Sequence, residues 1–240
     1  MGGGTAADYG LDAPGAVRWM LIIGGACLAA AVAVALGLSR DQRDVATTLA
    51  WYGFSFAFFG SLMVLSSRVG KLRARDQLLD RLAIDPSATV LDVGCGHGLL
   101  LIGAARRLAT GRAIGVDVWS QKDQGDNSAA ATLANADAES VRDRVEVRDG
   151  DVRALPFADA TFDVIVSSLV LHNLGRRADR SQAIKEIVRV LKPGGQIGIM
   201  DIRHVGQYAN DLRAAGMTHV STHGITPWIF PPTRVLIARK

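Results

Sequence analysis

The sequence predicts an α/β chain in which two apolar helices precede a doubly wound, seven-stranded parallel sheet. Three observations carry this. From residue 86 onward, short apolar runs alternate with segments of helical periodicity. A glycine-rich turn joins the first apolar run to the first periodic segment. Ahead of all this lie two long stretches without a single charge, Trp19 to Ser39 and Val45 to Ser67.

The chain divides into four regions. Residues 1–15 are rich in Gly and Ala, contain Pro14, and read as a flexible arm. Residues 16–67 hold the uncharged stretches. Each exceeds the roughly 20 residues needed to cross about 30 Å of hydrocarbon at about 1.5 Å per residue. Only Arg40-Asp41-Gln42-Arg43-Asp44 separates them, and charges are costly inside a bilayer, so the expectation is a transmembrane hairpin. Gly25, Ala29, Ala33 and Gly37 recur at every fourth position, as do Gly53, Ala57 and Ser61, which is the spacing of closely packed membrane helices. Trp51 and Tyr52 fit an interfacial aromatic belt. A cleaved leader and a soluble helical cap are the competing readings. The little positive charge before the first stretch argues against the leader, and the lack of a polar face against the cap. Residues 68–85 form a basic linker and short helix containing Arg68, Lys71, Arg73, Arg75 and Arg81. Their excess places this side in the cytoplasm, against anionic headgroups. The expected location is therefore a membrane, crossed twice, with the remaining domain cytoplasmic.

Residues 86–240 carry the sheet. Strands are expected at 89–93, 113–117, 145–148, 162–167, 196–201, about 218–221 and 233–239. Helices are expected at 99–109, 127–139, 178–191 and 206–215. Such alternation gives a parallel sheet covered on both faces, with ligands bound beyond the carboxyl ends of its strands.

The first strand and its turn read Val-Leu-Asp-Val-Gly-Cys-Gly-His-Gly at 90–98. Alternate glycines permit positive φ and close backbone approach, and the following helix start suits an anionic group. The spacing is neither the G-x-G-x-x-G of dinucleotide sites nor a P-loop, which needs a lysine. It resembles the first motif of the class I S-adenosylmethionine-dependent methyltransferases. Three further segments support the resemblance: Ile-Gly-Val-Asp at 114–117, Gly-Asp-Val at 150–152, and the run from Phe162 through His172 with Leu-Lys-Pro-Gly-Gly at 191–195. The resemblance implies a Rossmann-like fold and S-adenosylmethionine as cofactor. It implies that Gly94, Gly96 and Gly98 wrap the methionine end and that Asp92 helps hold its amino group. Asp117 would take the ribose hydroxyls, with Val118 and Trp119 against the adenine. Asp151 and Val152 would read the adenine edge, and Ser167 and Ser168 would lie under the cofactor. Cys95 and His97 read as spacers.

Methyl transfer from a sulfonium asks the protein mainly for alignment, and for a base where the nucleophile starts protonated. His172, after the fourth strand, is the first candidate; it either takes the proton or shapes the pocket. Asp201, at the end of the fifth strand, is the second. The polar segment 119–128 either lines a substrate entrance or is a solvated loop, with Asn127 or Ser128 capping the next helix. Trp228-Ile229-Phe230-Pro231-Pro232 either covers the site or touches the membrane. Two cysteines give neither a disulfide framework nor a metal set. The net charge of +4 is mildly basic, and the cluster after the second span accounts for much of it without nucleic acid. An Asn-Pro-Pro-Tyr-type motif, expected for methylation of base amines, is replaced by Ser-Leu-Val-Leu at 168–171. The expected partners are a small or lipid-like acceptor and the membrane. The alternatives are a tethered RNA or protein methyltransferase and a non-catalytic cofactor-binding scaffold.

Overall fold

A computed structural model describes residues 7–37, 42–120, 127–226 and 228–240. Its sheet has seven strands: β1 (Thr89–Val93), β2 (Arg112–Asp117), β3 (Val145–Asp149), β4 (Phe162–Ser168), β5 (Leu191–Asp201), β6 (Thr218–Thr226) and β7 (Thr233–Arg239). The order is β3-β2-β1-β4-β5-β7-β6. The first five strands are parallel, and β7 runs antiparallel between β5 and β6. The helices are α1 (Pro14–Gly37), α2 (Arg43–Leu65), α3 (Lys71–Leu79), α4 (Leu99–Ala105), α5 (Ala129–Ala138), α6 (Arg177–Val190) and α7 (Val205–Ala214).

Side chains of period two cover both faces. Leu91 and Ile165 pack with Ile184 and Ile187 of α6 and Tyr208 of α7. Val90, Val164 and Val166 pack on the other side with Leu78 of α3 and Leu101 of α4. Strand order reverses between β1 and β4, which is where a doubly wound sheet leaves a crevice.

Several elements depart from the sequence expectation. Helix α4 stops at Ala105 because the chain then tightens, Arg107 and Leu108 donating to Ala104 and Ala105 three residues back. Helix α5 starts at Ala129, since the Ser128 hydroxyl caps it by accepting from Ala131 N at 3.2 Å. The Leu-Lys-Pro-Gly-Gly segment is the start of β5. Leu191 already pairs with Phe162, the strand bulges, and regular pairing resumes at Gln196 with Val164. Gly194 takes φ +78° in that bulge. Strand β6 is longer than expected, because most of its side chains are exposed and carry no apolar alternation.

The basic linker is not a separate element. Helix α2 passes through a π-helical turn at Ser66–Gly70 directly into α3. Gly70 is needed there: a Cβ would stand 1.7 Å from the Trp228 carbonyl oxygen. Lys71 and Arg75 turn inward and are buried, so only Arg68, Arg73 and Arg81 of the five basic residues face outward. Burial of these two heads overrides the expectation that all five meet headgroups.

Helices α1 and α2 are long and apolar enough to cross a membrane, with mean hydropathy 2.4 and 1.5 in their most apolar windows. Only 11% and 17% of those windows are buried, unlike core helices. They pack through small residues, one position away from the expected stripe on α1. Gly24 lies against Ala57, and Gly53 against Leu28. Gly25 and Gly37 face open space. Arg40 and Asp41 of the connecting loop lie outside the described residues.

The N-terminal segment from residue 7 is not a free arm. Asp8 and Asn135 exchange two hydrogen bonds of 2.8 Å. Tyr9 is buried, and Asp12 N donates to Ser67 Oγ at 3.1 Å. A buried tyrosine and paired backbone groups hold what composition alone marks as a loose chain.

Candidate active site

The loop after β1 is held from below by β2. Gly94 N and Cys95 N donate to the Val116 carbonyl at 2.7 and 3.2 Å. Gly96 N donates to Asp117 Oδ2 at 2.9 Å. Gly94, Gly96 and Gly98 have φ of +72°, +50° and +86°. At Gly94 a Cβ would also collide with Val170, 2.3 Å away. The positive φ angles let the backbone fold back over the strand ends.

A cavity of about 700 Å³ opens above this loop at the strand-order reversal. That is within the roughly 300–1,000 Å³ of small-molecule sites. Gly94, Gly96, Asp117, Val118, Asp151 and Val152 line it. Asp117 caps the end of β2 and also accepts from Trp119 N at 2.7 Å and Asn127 Nδ2 at 3.4 Å. Asn127 Oδ1 is buried on the cavity wall with no partner among the described residues. A carboxylate and an unpaired amide acceptor side by side suit vicinal hydroxyls or an amino edge, as a nucleoside presents. Asp151 is paired with Arg153, whose hydrogen bond pulls its carboxyl below the usual range.

Asp92, Gly98, Trp119 and Ser167, expected at the ligand, are not among the residues that line the cavity. Asp92 is buried beneath the loop, and its Oδ2 accepts from Leu101 N at 2.8 Å. Burial pushes its carboxyl up to about 8, so it is largely protonated near neutrality and holds the α4 start rather than facing a ligand. Ser167 is 1% exposed, and its hydroxyl donates to the Val93 carbonyl at 2.9 Å; of the expected serine pair only Ser168 lines the cavity. Alternation along β4 separates the two. Gly98 caps α4 and packs against Ile102 and Thr132. Burial pushes the Cys95 thiol well up, which keeps it protonated.

The two candidate bases come together. His172 Nδ1 lies 2.6 Å from Asp201 Oδ1, and His172 N donates to Asp201 Oδ2 at 3.1 Å. Asp201 also accepts from Ile202 N at 2.7 Å and Tyr208 Oη at 3.4 Å. Three hydrogen bonds hold this carboxylate beside the His172 ring, whose buried Nδ1 is close to it but makes no aligned hydrogen bond, and the ring lines the cavity.

The opposite wall comes from residues that no motif marked. Lys71 Nζ donates to Tyr9 O at 2.7 Å and to Gly10 O. Tyr9 and Lys71 both line the cavity. Gly10 lies over the His97 ring, whose Nδ1 is 3.3 Å from Asp8 O, so His97 is a docking point for the N-terminal segment. Met63 of α2 and Ile229, Phe230 and Pro231 complete this wall. Of the two roles expected of the 228–232 segment, Ile229, Phe230 and Pro231 meet the first by covering the cavity, and Phe230 also packs on Phe59 of α2. In the polar segment, Ser120 and Asn127 line the cavity; Gln121, Lys122, Asp123, Gln124 and Asp126 lie outside the described residues. His204 starts α7 with φ +59°.

Residues 91–199 match the family model described as a methyltransferase domain. The strand order and the glycine loop around this segment agree with that match. The chain is 35% identical over 119 residues to the chloroplastic 2-phytyl-1,4-beta-naphthoquinone methyltransferase of Arabidopsis thaliana, covering 49% of this chain and 43% of that protein. It is 31% identical over 165 residues to the demethylmenaquinone methyltransferase of Lactobacillus johnsonii, covering 68% and 61%. The chain thus spans about half the length of such relatives. Among solved structures, a SAM-dependent methyltransferase from Aquifex aeolicus superposes with a TM-score of 0.57 at 18% identity, over 75% of this chain and 97% of that one. The [4+2]-cyclase SpnF superposes at 0.60 and 22% identity, over 70% and 81%. At these identities the structures share the fold alone, and a fold does not fix a reaction.

Proposed function

We propose that this chain is a membrane-anchored methyltransferase that moves a methyl group from S-adenosylmethionine to a lipophilic, quinone-like acceptor. The observation that carries the reading is the make-up of the cavity. One wall is the glycine loop with Asp117, and the other is Met63 of the apolar helix α2 with Ile229 and Phe230. The named activities of the two relatives, both on naphthoquinone-type compounds, point to the same acceptor class.

S-adenosylmethionine supplies a methyl already activated on a sulfonium. The chain's own residues then have three tasks. The loop at Gly94 and Gly96 presents backbone to the methionine end. Asp117, with Asn127 beside it, accepts from the ribose, and Val118, Asp151 and Val152 surround the adenine. His172, oriented by Asp201, accepts the proton that an acceptor hydroxyl or carbon acid sheds as its new bond to the methyl forms. Removing that proton keeps positive charge from building on the acceptor.

The hairpin sets the location. Residues 8–12 dock on the same domain that follows α3, so both ends of the α1–α2 pair meet one domain. Two crossings satisfy that geometry. The outward Arg68, Arg73 and Arg81 favour the cytoplasmic side.

The test uses membranes containing the full chain, S-adenosylmethionine labelled in its methyl group, and partition of products between organic and aqueous phases. Label entering the organic phase, and absent with His172→Ala membranes, is the expected result. Label confined to water-soluble metabolites would overturn the lipophilic acceptor. Turnover stimulated by added RNA would favour the tethered RNA enzyme.

A further inference from the structure

A second, smaller cavity of about 210 Å³ adjoins the first and shares Ile229 and Phe230 with it. The rest of its wall comes from the end of α2 and the π turn, with Leu62, Leu65 and Val69, and from Trp228. Phe230 stacks on Phe59 of α2 with ring centroids 5.6 Å apart and planes at 16°. The aromatic row continues up α2, from Phe59 to Phe58 at 5.5 Å and from Phe58 to Phe54 at 5.9 Å. Phe54 and Phe58 are exposed.

The polar groups at this cavity are already engaged. Ser66 Oγ accepts from Phe230 N at 2.8 Å, and the Arg73 guanidinium lies 4.9 Å from the centre of the Trp228 ring. What remains is an apolar slot that shares its Ile229–Phe230 wall with the larger cavity and rests on the end of α2, whose exposed Phe54 and Phe58 lie further along the helix.

We infer that the smaller cavity binds the apolar side chain of the acceptor, so that the acceptor slides from the bilayer along the Phe54–Phe58–Phe59 face of α2 and delivers its head into the larger cavity. The inference rests on the proposed membrane-anchored reading and adds a site to it. The occupant is the acceptor's own chain, because only a chain joined to a head group spans both cavities through their shared Ile229–Phe230 wall. Gly70 keeps the slot in shape, since any side chain there would push Trp228 away.

The experiment uses the full chain in lipid nanodiscs and a hydroquinone carrying a farnesyl chain with a photoreactive group. Covalent adducts are mapped by mass spectrometry, with and without an excess of unreactive farnesyl hydroquinone. We expect competitor-sensitive adducts within residues 62–69 and 228–232. Val69→Trp, at a residue that does not itself line the larger cavity, fills the slot and is expected to lower them about tenfold, the loss of roughly two buried methylenes. Its affinity for S-adenosylhomocysteine, measured by calorimetry, should stay at the wild-type value and so report an intact fold. Adducts that do not respond to competitor, or that Val69→Trp leaves unchanged, would overturn the site. So would equal competition by a lysophospholipid, which would assign the slot to bulk lipid. Should the adducts behave as expected while no methyl reaches the organic phase, the slot stands and the acceptor assignment falls.

Discussion

Asp92 and Asp117 end neighbouring strands, yet their surroundings give them opposite tasks. Asp92 is enclosed, and its raised carboxyl keeps a proton up to about pH 8. The folded state therefore holds more protons than the unfolded chain between the ordinary carboxylate range near 4 and about 8. Stability must fall as pH rises through that window, by up to about 1.4 kcal/mol per unit. Asp92→Asn keeps an acceptor for Leu101 N and removes the titration. We expect its thermal midpoint to gain on the wild type steadily from pH 5 to pH 8, as read by circular dichroism; parallel curves would refute the buried-acid account. Asp117 faces the cavity, and hydrogen bonds to a charged acceptor are worth roughly 1.5–3 kcal/mol each. Asp117→Ala should weaken binding of S-adenosylmethionine at least about a hundredfold by calorimetry, and wild-type affinity would remove the cofactor assignment. His172→Ala should lower kcat by about two to four orders of magnitude with cofactor affinity unchanged. A proportionate change in KM alone would make His172 a shaping residue.

At the scale of elements, the unexpected feature is one helix doing two jobs. Helix α2 runs through the π turn into α3, so the apolar span and a wall of the cavity are mechanically one piece. Lys71, on the first turn of α3, ties down the N-terminal segment through the Tyr9 and Gly10 carbonyls. Lys71→Met keeps the stem and removes those bonds. We expect S-adenosylhomocysteine to leave about tenfold faster in stopped-flow measurements, one to two lost hydrogen bonds' worth. An unchanged rate would mean the segment does not close over the cofactor. The glycine loop and strand β1 were legible because close backbone approach demands glycine in a fixed pattern. The α2–α3 continuity was not, because Lys71 and Arg75 look like surface charge until their partners are known. Strand β6 was illegible because its register comes from pairing with β7 rather than from alternation of its own.

For the whole molecule, the docking of residues 8–12 beside α3 requires both ends of the hairpin on one side. With the cytoplasmic orientation proposed above, tags placed at the two termini should both resist protease added outside intact cells and both be cleaved in inverted vesicles. Protection of one tag with cleavage of the other in the same preparation would exclude the two-crossing hairpin.

The sequence by itself determined the parallel strands and the glycine loop, and its resemblance to a family implied the cofactor class. The strands and the loop depend on local chemistry: apolar periodicity and glycines at positive φ. It also named both His172 and Asp201, though not that they form one pair, since they are joined only by the parallel pairing of β4 with β5. Tertiary structure alone decided that Asp92 and Ser167 sit beneath the cavity, and that Tyr9, Met63 and Lys71 enclose it. The physical reason is that burial and contact between distant segments are properties of the packed chain. A lysine or a tyrosine carries no local mark of the face it will finally seal.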